Sequence, residues 1–172
     1  ADGGVTWTAT FTATDGFSGQ GSVTLANESY TDAALNLGAG GADTVAIDTL
    51  NPTDPTITSV GGADTTVSGV AGDNLVVGTA EANSTVTIRS GSTVLGTATA
   101  DGTGAFSYAL TSANITTLGQ GGSKSVTATA TDAAGNASAA STAFTFAVDT
   151  VNPTATISLS DTALKIGDTS RS

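Results

Sequence analysis

Two stretches of this chain occur twice, about 100 residues apart, and that spacing constrains the fold more than any single motif does. Ile47-Asp48-Thr49-Leu50-Asn51-Pro52-Thr53 returns as Val148-Asp149-Thr150-Val151-Asn152-Pro153-Thr154. Tyr30-Thr31-Asp32-Ala33-Ala34-Leu35-Asn36 returns as Ala130-Thr131-Asp132-Ala133-Ala134-Gly135-Asn136. A period of roughly 100 residues is the size of one small β-sandwich, so the repeating unit is a whole domain. The Asp-Thr-x-Asn-Pro-Thr stretches read as junctions, because proline has no N–H for a central strand and holds the preceding residue extended. Residues 51–150 are therefore expected to form a complete unit. Residues 1–50 supply the C-terminal part of a preceding unit, and 151–172 the opening strand of a following one.

Within 51–150, apolar and small polar residues alternate between Gly, Asn and Asp turns, which predicts about seven antiparallel strands. They fall near 56–60, 74–80, 84–90, 93–100, 104–110, 123–131 and 141–149. Phe106, Tyr108 and Leu110 share one face, as do Val126, Ala128 and Ala130, and Phe144, Phe146 and Val148. With Ile57, Val86, Ile88 and Leu95 they are expected to fill the space between two sheets. Leu110 to Leu118 has the spacing of a short helical crossing. Three further strands are expected near 5–13, 21–30 and 43–48, and an opening strand at Ala155 to Ile166. Three strands cannot cover both inner faces of a sandwich, so Trp7, Phe11, Val23, Leu25 and Val45 are expected to be partly exposed. Truncation of the flanking units explains this better than strand complementation, in which one chain's tail would complete another chain's head.

Composition narrows the chemistry. Fifteen acidic residues stand against four basic ones, for a net charge of −11, which excludes a phosphate-binding footprint and hence nucleic acid as a partner. With no His and no Cys there is no Ser-His-Asp or Cys-His nucleophile, no ordinary zinc site and no disulfide framework. The aromatic-lined cleft that a carboxylate-pair glycosidase needs is missing too, so no catalytic site is expected. No apolar run approaches the roughly 18 residues of a membrane span, and no basic-then-apolar leader opens the chain. Gly38 to Val45 is a faint match to glycine-rich calcium repeats, but it occurs once and reads as a long hairpin loop. The Thr6, Thr8, Thr10 and Thr12 row is ordinary half-buried strand chemistry.

Thr129 to Asn136, the strand ending Ala147-Val148-Asp149-Thr150, and the Asn152-Pro153-Thr154 start of a new unit together resemble the bacterial Ig-like tandem repeats of giant calcium-dependent cell-surface adhesins, type I secreted and RTX- or Bap-like. Trp7 to Asp48 is similar to the second half of a related repeat. The resemblance implies an all-β, Ig-like antiparallel sandwich in tandem with incomplete neighbours. It also implies an extracellular, surface-tethered, filamentous protein of the bacterial cell surface, active in adhesion or biofilm formation, whose partners are the neighbouring repeats of its own polypeptide. In such a sandwich three loops share the pole at which the chain begins, and they carry Glu81, Asp101, and Asp132 with Asn136. The linker brings Asp48, Asn51 and Asp54 to that pole, while Asp149, assisted by Asp73, stands at the opposite one. Converging carboxylates without a nearby cation repel each other unless a metal sits among them, and Ca2+ takes six to eight such oxygens. Asp and Asn beside Gly also serve as plain turn formers, the competing reading for Asp101 above all. The expected function is thus a structural extender stiffened by calcium at its junctions and not an enzyme. The alternatives are a glycan-, ice- or protein-binding Ig-like domain, or an accessory module of a secreted enzyme.

Overall fold

The structure is a computed structural model and describes residues 10–158. Two strands, β1 (Ser18–Leu25) and β2 (Gly41–Asp48), pair antiparallel along their whole length as a two-stranded ribbon. Residues 56–148 then fold as a sandwich of two sheets. One sheet holds β3 (Thr56–Val60), β5 (Leu75–Thr79) and β8 (Ala105–Ala109) in the order β3-β5-β8. The other holds β4 (Thr66–Val67), β6 (Thr85–Ser90), β7 (Thr93–Thr99), β9 (Gly121–Thr131) and β10 (Phe144–Val148) in the order β4-β10-β9-β6-β7.

The seven strands expected from alternation are all present, with ends shifted by up to three residues. Their inward faces meet as anticipated: Ile57, Val86, Ile88, Leu95, Phe106, Leu110, Val126, Ala128, Phe146 and Val148 are buried together. Tyr108 and Phe144 pack against that cluster half-buried. Crossing between the sheets, helix α1 (Ser112–Leu118) confirms the expected helical segment. Its capping box explains where it starts: the Asn114 amide nitrogen donates to Thr111 Oγ1 at 3.2 Å, and the Thr111 nitrogen donates to Asn114 Oδ1 at 2.9 Å.

Three features depart from expectation for local reasons. Strand β4 was hidden in a segment that reads as a loop. Gly61 and Gly62 both take positive φ and lead a single 3-10 turn over Gly62–Asp64, which moves the chain from one sheet to the other. A Cβ on Gly61 would collide with the Thr66 backbone, so this sheet switch requires glycine. Second, the last strand begins at Phe144 and not near 141. Ser138 and Ser141 instead offer their hydroxyls to the Ala130 and Ala128 amides at 2.9 and 3.0 Å, replacing the ladder there. Third, the strand expected over 21–30 runs over Ser18–Leu25, because Ala26 to Ser29 turns back with Glu28 at positive φ.

Of the stretch expected as a long hairpin loop, Gly38 to Val45, only Gly38 to Gly40 lie in the loop joining β1 to β2, held by Gly40 N donating to Asn27 Oδ1 at 2.6 Å. Gly41 to Val45 are strand because they pair with Leu25 to Gly21 of β1. Phe11, Val23, Leu25 and Val45 are exposed as expected. Of the expected strand at 5–13, residues 10–13 are not in strand, and Trp7 with Thr6 and Thr8 lies outside the described residues. Ala155 to Ser158 form no strand, and the rest of that expected strand, to Ile166, is also outside them.

Candidate functional site

Strand register decides which loops meet. Thr99, Thr85 and Thr131 lie side by side at the ends of β7, β6 and β9, and Thr56, Thr79 and Ala105 lie side by side in the facing sheet. Loops 80–84, 100–104 and 132–136 therefore emerge at the end where the chain enters the sandwich. Two of them interlock: Ala80 N donates to Gly104 O at 2.8 Å, and Asn83 N to Ala100 O at 3.1 Å. The linker lies over the same end, with Pro52 and Pro55 buried.

Asp132 organises its loop. Oδ1 accepts the Asn136 N–H at 2.9 Å, and Oδ2 accepts Asn136 Nδ2 at 2.8 Å. The Asn136 amide holds the Asp132 carboxyl below the usual aspartate range, against the opposing effect of desolvation. The same Nδ2 donates to the backbone carbonyl of Asp48 at 3.2 Å, joining the loop to the end of β2. One amide nitrogen thus sits between a carboxylate oxygen of the sandwich and a carbonyl oxygen of the ribbon.

The remaining candidates are placed as follows. Asp48 Oδ1 accepts Leu50 N at 3.2 Å, a local turn at the start of the linker. Asn51 and Asp54 are exposed on that linker. Glu81 acts through its backbone: its carbonyl accepts the N–H and hydroxyl of Ser84, which is buried. Asp101 Oδ1 collects the Thr103 hydroxyl at 2.6 Å, the Thr103 N–H at 2.8 Å and the Ala105 N–H at 3.0 Å. Those bonds, led by the Thr103 hydroxyl, lower its pKa, and they make it a turn former. Among the described residues no group of three or more carboxylates is arranged to hold a metal ion.

At the far pole, Asp149 N donates to Val67 O at 2.9 Å and its Oδ1 accepts Val151 N at 3.1 Å. Asp73 Oδ2 accepts the N–H of Ser68, the residue after Val67, so Asp73 does stand at the Asp149 pole. A cleft of about 430 Å³ opens there between loop 68–71 and α1, lined by Val70, Leu110, Ile115, Thr116 and Thr150 among others and without a titratable side chain.

Sequence reasoning passed over the residue after each junction aspartate. Thr49 Oγ1 donates to Thr14 O at 2.6 Å and accepts Phe17 N at 3.0 Å, while Thr49 N donates to Phe17 O at 2.7 Å. Thr150 N donates to Gln120 Oε1 at 3.1 Å, and Gln120 Nε2 donates to Thr150 Oγ1. The signal lies in the Asp-Thr pair that both junctions share, in which charge draws attention to the aspartate alone.

Two sheets packed face to face, antiparallel except where the short β4 runs parallel to β10, and with a first strand divided between them as β3 and β4, define an Ig-like β-sandwich. The sequence profile of the bacterial Ig domain family matches residues 51–147, and that of the bacterial Ig-like domain matches residues 1–49. The chain belongs to the bacterial Ig domain family. No curated protein sequence matches it. A solved structure of a Ca2+-stabilized adhesin with which an Antarctic bacterium binds ice aligns over 76% of this chain at 21% identity and a TM-score of 0.39. This chain spans 32% of that one.

Proposed function

We propose that this chain is a length of extracellular stalk: Ig-like units joined in series, acting as an extender of a bacterial surface adhesin by holding neighbours in line. In this reading residues 1–50 are the end of one unit, 51–150 a complete unit and 151–172 the start of another. The observation that carries it is the Asn136 contact to the Asp48 carbonyl, which ties the loop pole of one unit to the last strand of the unit before it. Two family profiles meeting at this junction, between residues 49 and 51, support the serial arrangement.

Calcium is the ion whose chemistry fits that junction. The donors are all oxygens: the Asp132 carboxylate, the Asp48 carbonyl, and the amide oxygen of Asn136, which faces the same spot when the amide turns over. Arg89 and Lys124 lie at the ends of β6 and β9 remote from Thr85 and Thr131, so neither neutralises this pole. Asp132, Asn136 and Asp48 would hold the ion. Asn51, Asp54 and Glu81 are the neighbours able to complete its shell, together with the uncommitted Asp101 Oδ2, and Asp149 would begin the same site for a following unit. Bound calcium would supply a fixed positive charge among these oxygens and so restrict the linker. Extracellular modules bind calcium at about 10⁻⁴–10⁻³ M.

A thermal melt in millimolar calcium and again in excess chelator tests this. At one hundred times its dissociation constant a bound ion adds about 2.7 kcal/mol. Wild type is expected to melt several degrees higher in calcium, and Asp132→Ala to melt alike in both buffers. Identical wild-type melts would remove calcium from the account.

A further inference from the structure

Calcium aside, each junction carries a second device. We infer that the Asp48-Thr49 and Asp149-Thr150 pairs are metal-independent connectors, in which the threonine fixes the direction the chain takes out of its own unit and the aspartate carbonyl receives the side-chain amide of the next unit's Asp-x-x-x-Asn loop. This rests on units being joined in series, not on calcium.

The first junction shows both halves. Thr49 uses its hydroxyl proton on Thr14 O and a lone pair on Phe17 N, at 2.6 and 3.0 Å, and its own N–H on Phe17 O at 2.7 Å. Gly16 N donates to the Thr49 carbonyl at 3.1 Å, so every polar group of this residue is tied to the turn before β1. A residue held at four points cannot pivot. The Asp48 carbonyl beside it is thereby held in one direction, where Asn136 Nδ2 meets it.

At the second junction the clamp is rebuilt from different parts. The chain reaches β9 from helix α1, so no backbone turn stands where Thr14 to Phe17 stand in the ribbon. The Gln120 side chain takes its place, accepting the Thr150 N–H and donating to its hydroxyl. The Thr150 N–H shares its peptide plane with the Asp149 carbonyl, so its bond to Gln120 Oε1 at 3.1 Å orients that carbonyl. The same threonine, one period later, is held by a backbone turn in one case and a glutamine in the other. That substitution of partners around a fixed residue argues for the clamp itself as the feature retained. The partner that fits the Asp149 carbonyl is therefore a primary amide on the Asx loop of a further Ig-like unit, in the position Asn136 holds toward Asp48.

The test is NMR on the 172-residue chain in excess chelator, reading residual dipolar couplings for residues 18–48 and 56–148 together with amide exchange. Wild type is expected to fit one alignment tensor for both regions. Thr49→Val removes the hydroxyl but keeps the shape; it is expected to need two tensors and to expose the Phe17 amide to exchange about tenfold faster. Thr49→Ser restores both readouts. Asn136→Ala is expected to need two tensors while leaving Phe17 protected, which separates the forward contact from the clamp. Couplings within 56–148 that still fit one tensor show that the sandwich has kept its fold in each variant. A single tensor in Thr49→Val or in Asn136→Ala would overturn the inference. So would two tensors in chelated wild type that merge only on adding calcium, an outcome that leaves the calcium reading standing.

Discussion

Residues 32–36 and 132–136 trace one loop on two different supports. In each, Asp Oδ1 accepts the Asn N–H at 2.9 Å and Oδ2 accepts the Asn amide at 2.8 Å, and a bridge closes the loop, Thr31 to Leu37 or Thr131 to Ala137. The Asn amide holds both aspartates below their usual pKa. Yet one loop stands on an exposed ribbon and the other on a packed sandwich. The residue before the repeated threonine makes the contrast plain: Tyr30 is 47% exposed, and Ala130 is fully buried. Loop shape is thus written in five residues, through bonds those residues make to one another. Burial and the junction contact come from what lies around them.

The largest expected effect contrasts equivalent strand positions. Phe146, 4% exposed, lies one period from Val45, 56% exposed. Phe146→Ala is expected to cost about 3–5 kcal/mol of sandwich stability in a denaturant melt, and Val45→Ala less than about 0.5 kcal/mol. Equal costs would mean that the ribbon is packed in solution.

A smaller contrast concerns two tyrosines lying over glycines. A Cβ on Gly96 would strike the Tyr108 ring and hydroxyl, and that hydroxyl is bonded to Leu95 O at 2.7 Å inside the sandwich. One on Gly38 would strike the Tyr30 ring, which is bonded only at its exposed tip to Ala39 O. Gly96→Ala is expected to cost about 1–3 kcal/mol. Gly38→Ala should leave the melt unchanged, because Tyr30 is free to swing into solvent.

Within the loops, position 35 is Leu with φ of 68° and position 135 is Gly with φ of 94°. Leu35→Gly is expected to relieve about 1 kcal/mol of backbone strain and Gly135→Leu to add as much, read as opposite changes in amide exchange at Asn36 and Asn136. Smallest of all is the pH effect. Both carboxylates titrate at lower pH when folded than when unfolded, so loop order is full above the ordinary aspartate value and is lost as the pH falls through the lower folded one. Carbon-13 titration of the two side chains should give parallel curves, both displaced to low pH.

The sandwich was legible in the sequence because alternation fixes which side chains face inward, as Val126, Ala128 and Ala130 show. What escaped were features without periodicity. A two-residue strand, β4, has no pattern of its own and exists because Gly61 lets the chain change sheets. Ser138 and Ser141 broke the last strand through side-chain hydroxyls that alternation does not weigh. At the junction, the repeat pointed to Asp132 and Asn136, and their loop is where the sandwich meets the end of β2. Convergence of several carboxylates was an inference from topology alone. Register brings the loops to one end, but Asp101 is drawn into its own turn and Glu81 contributes its carbonyl.

The central claim is that the junction between serial units is the functional part of this chain and that calcium acts there. The most direct test is a calcium titration followed by amide chemical shifts. The account predicts saturable shifts at about 10⁻⁴–10⁻³ M that are largest at residues 48–54 and 132–136 and smaller at Glu81 and Asp101, with residues 32–36 silent because Asn36 is bonded within its own loop. Shifts at the Asp101 turn with residues 132–136 silent, or none at ten millimolar, would contradict it.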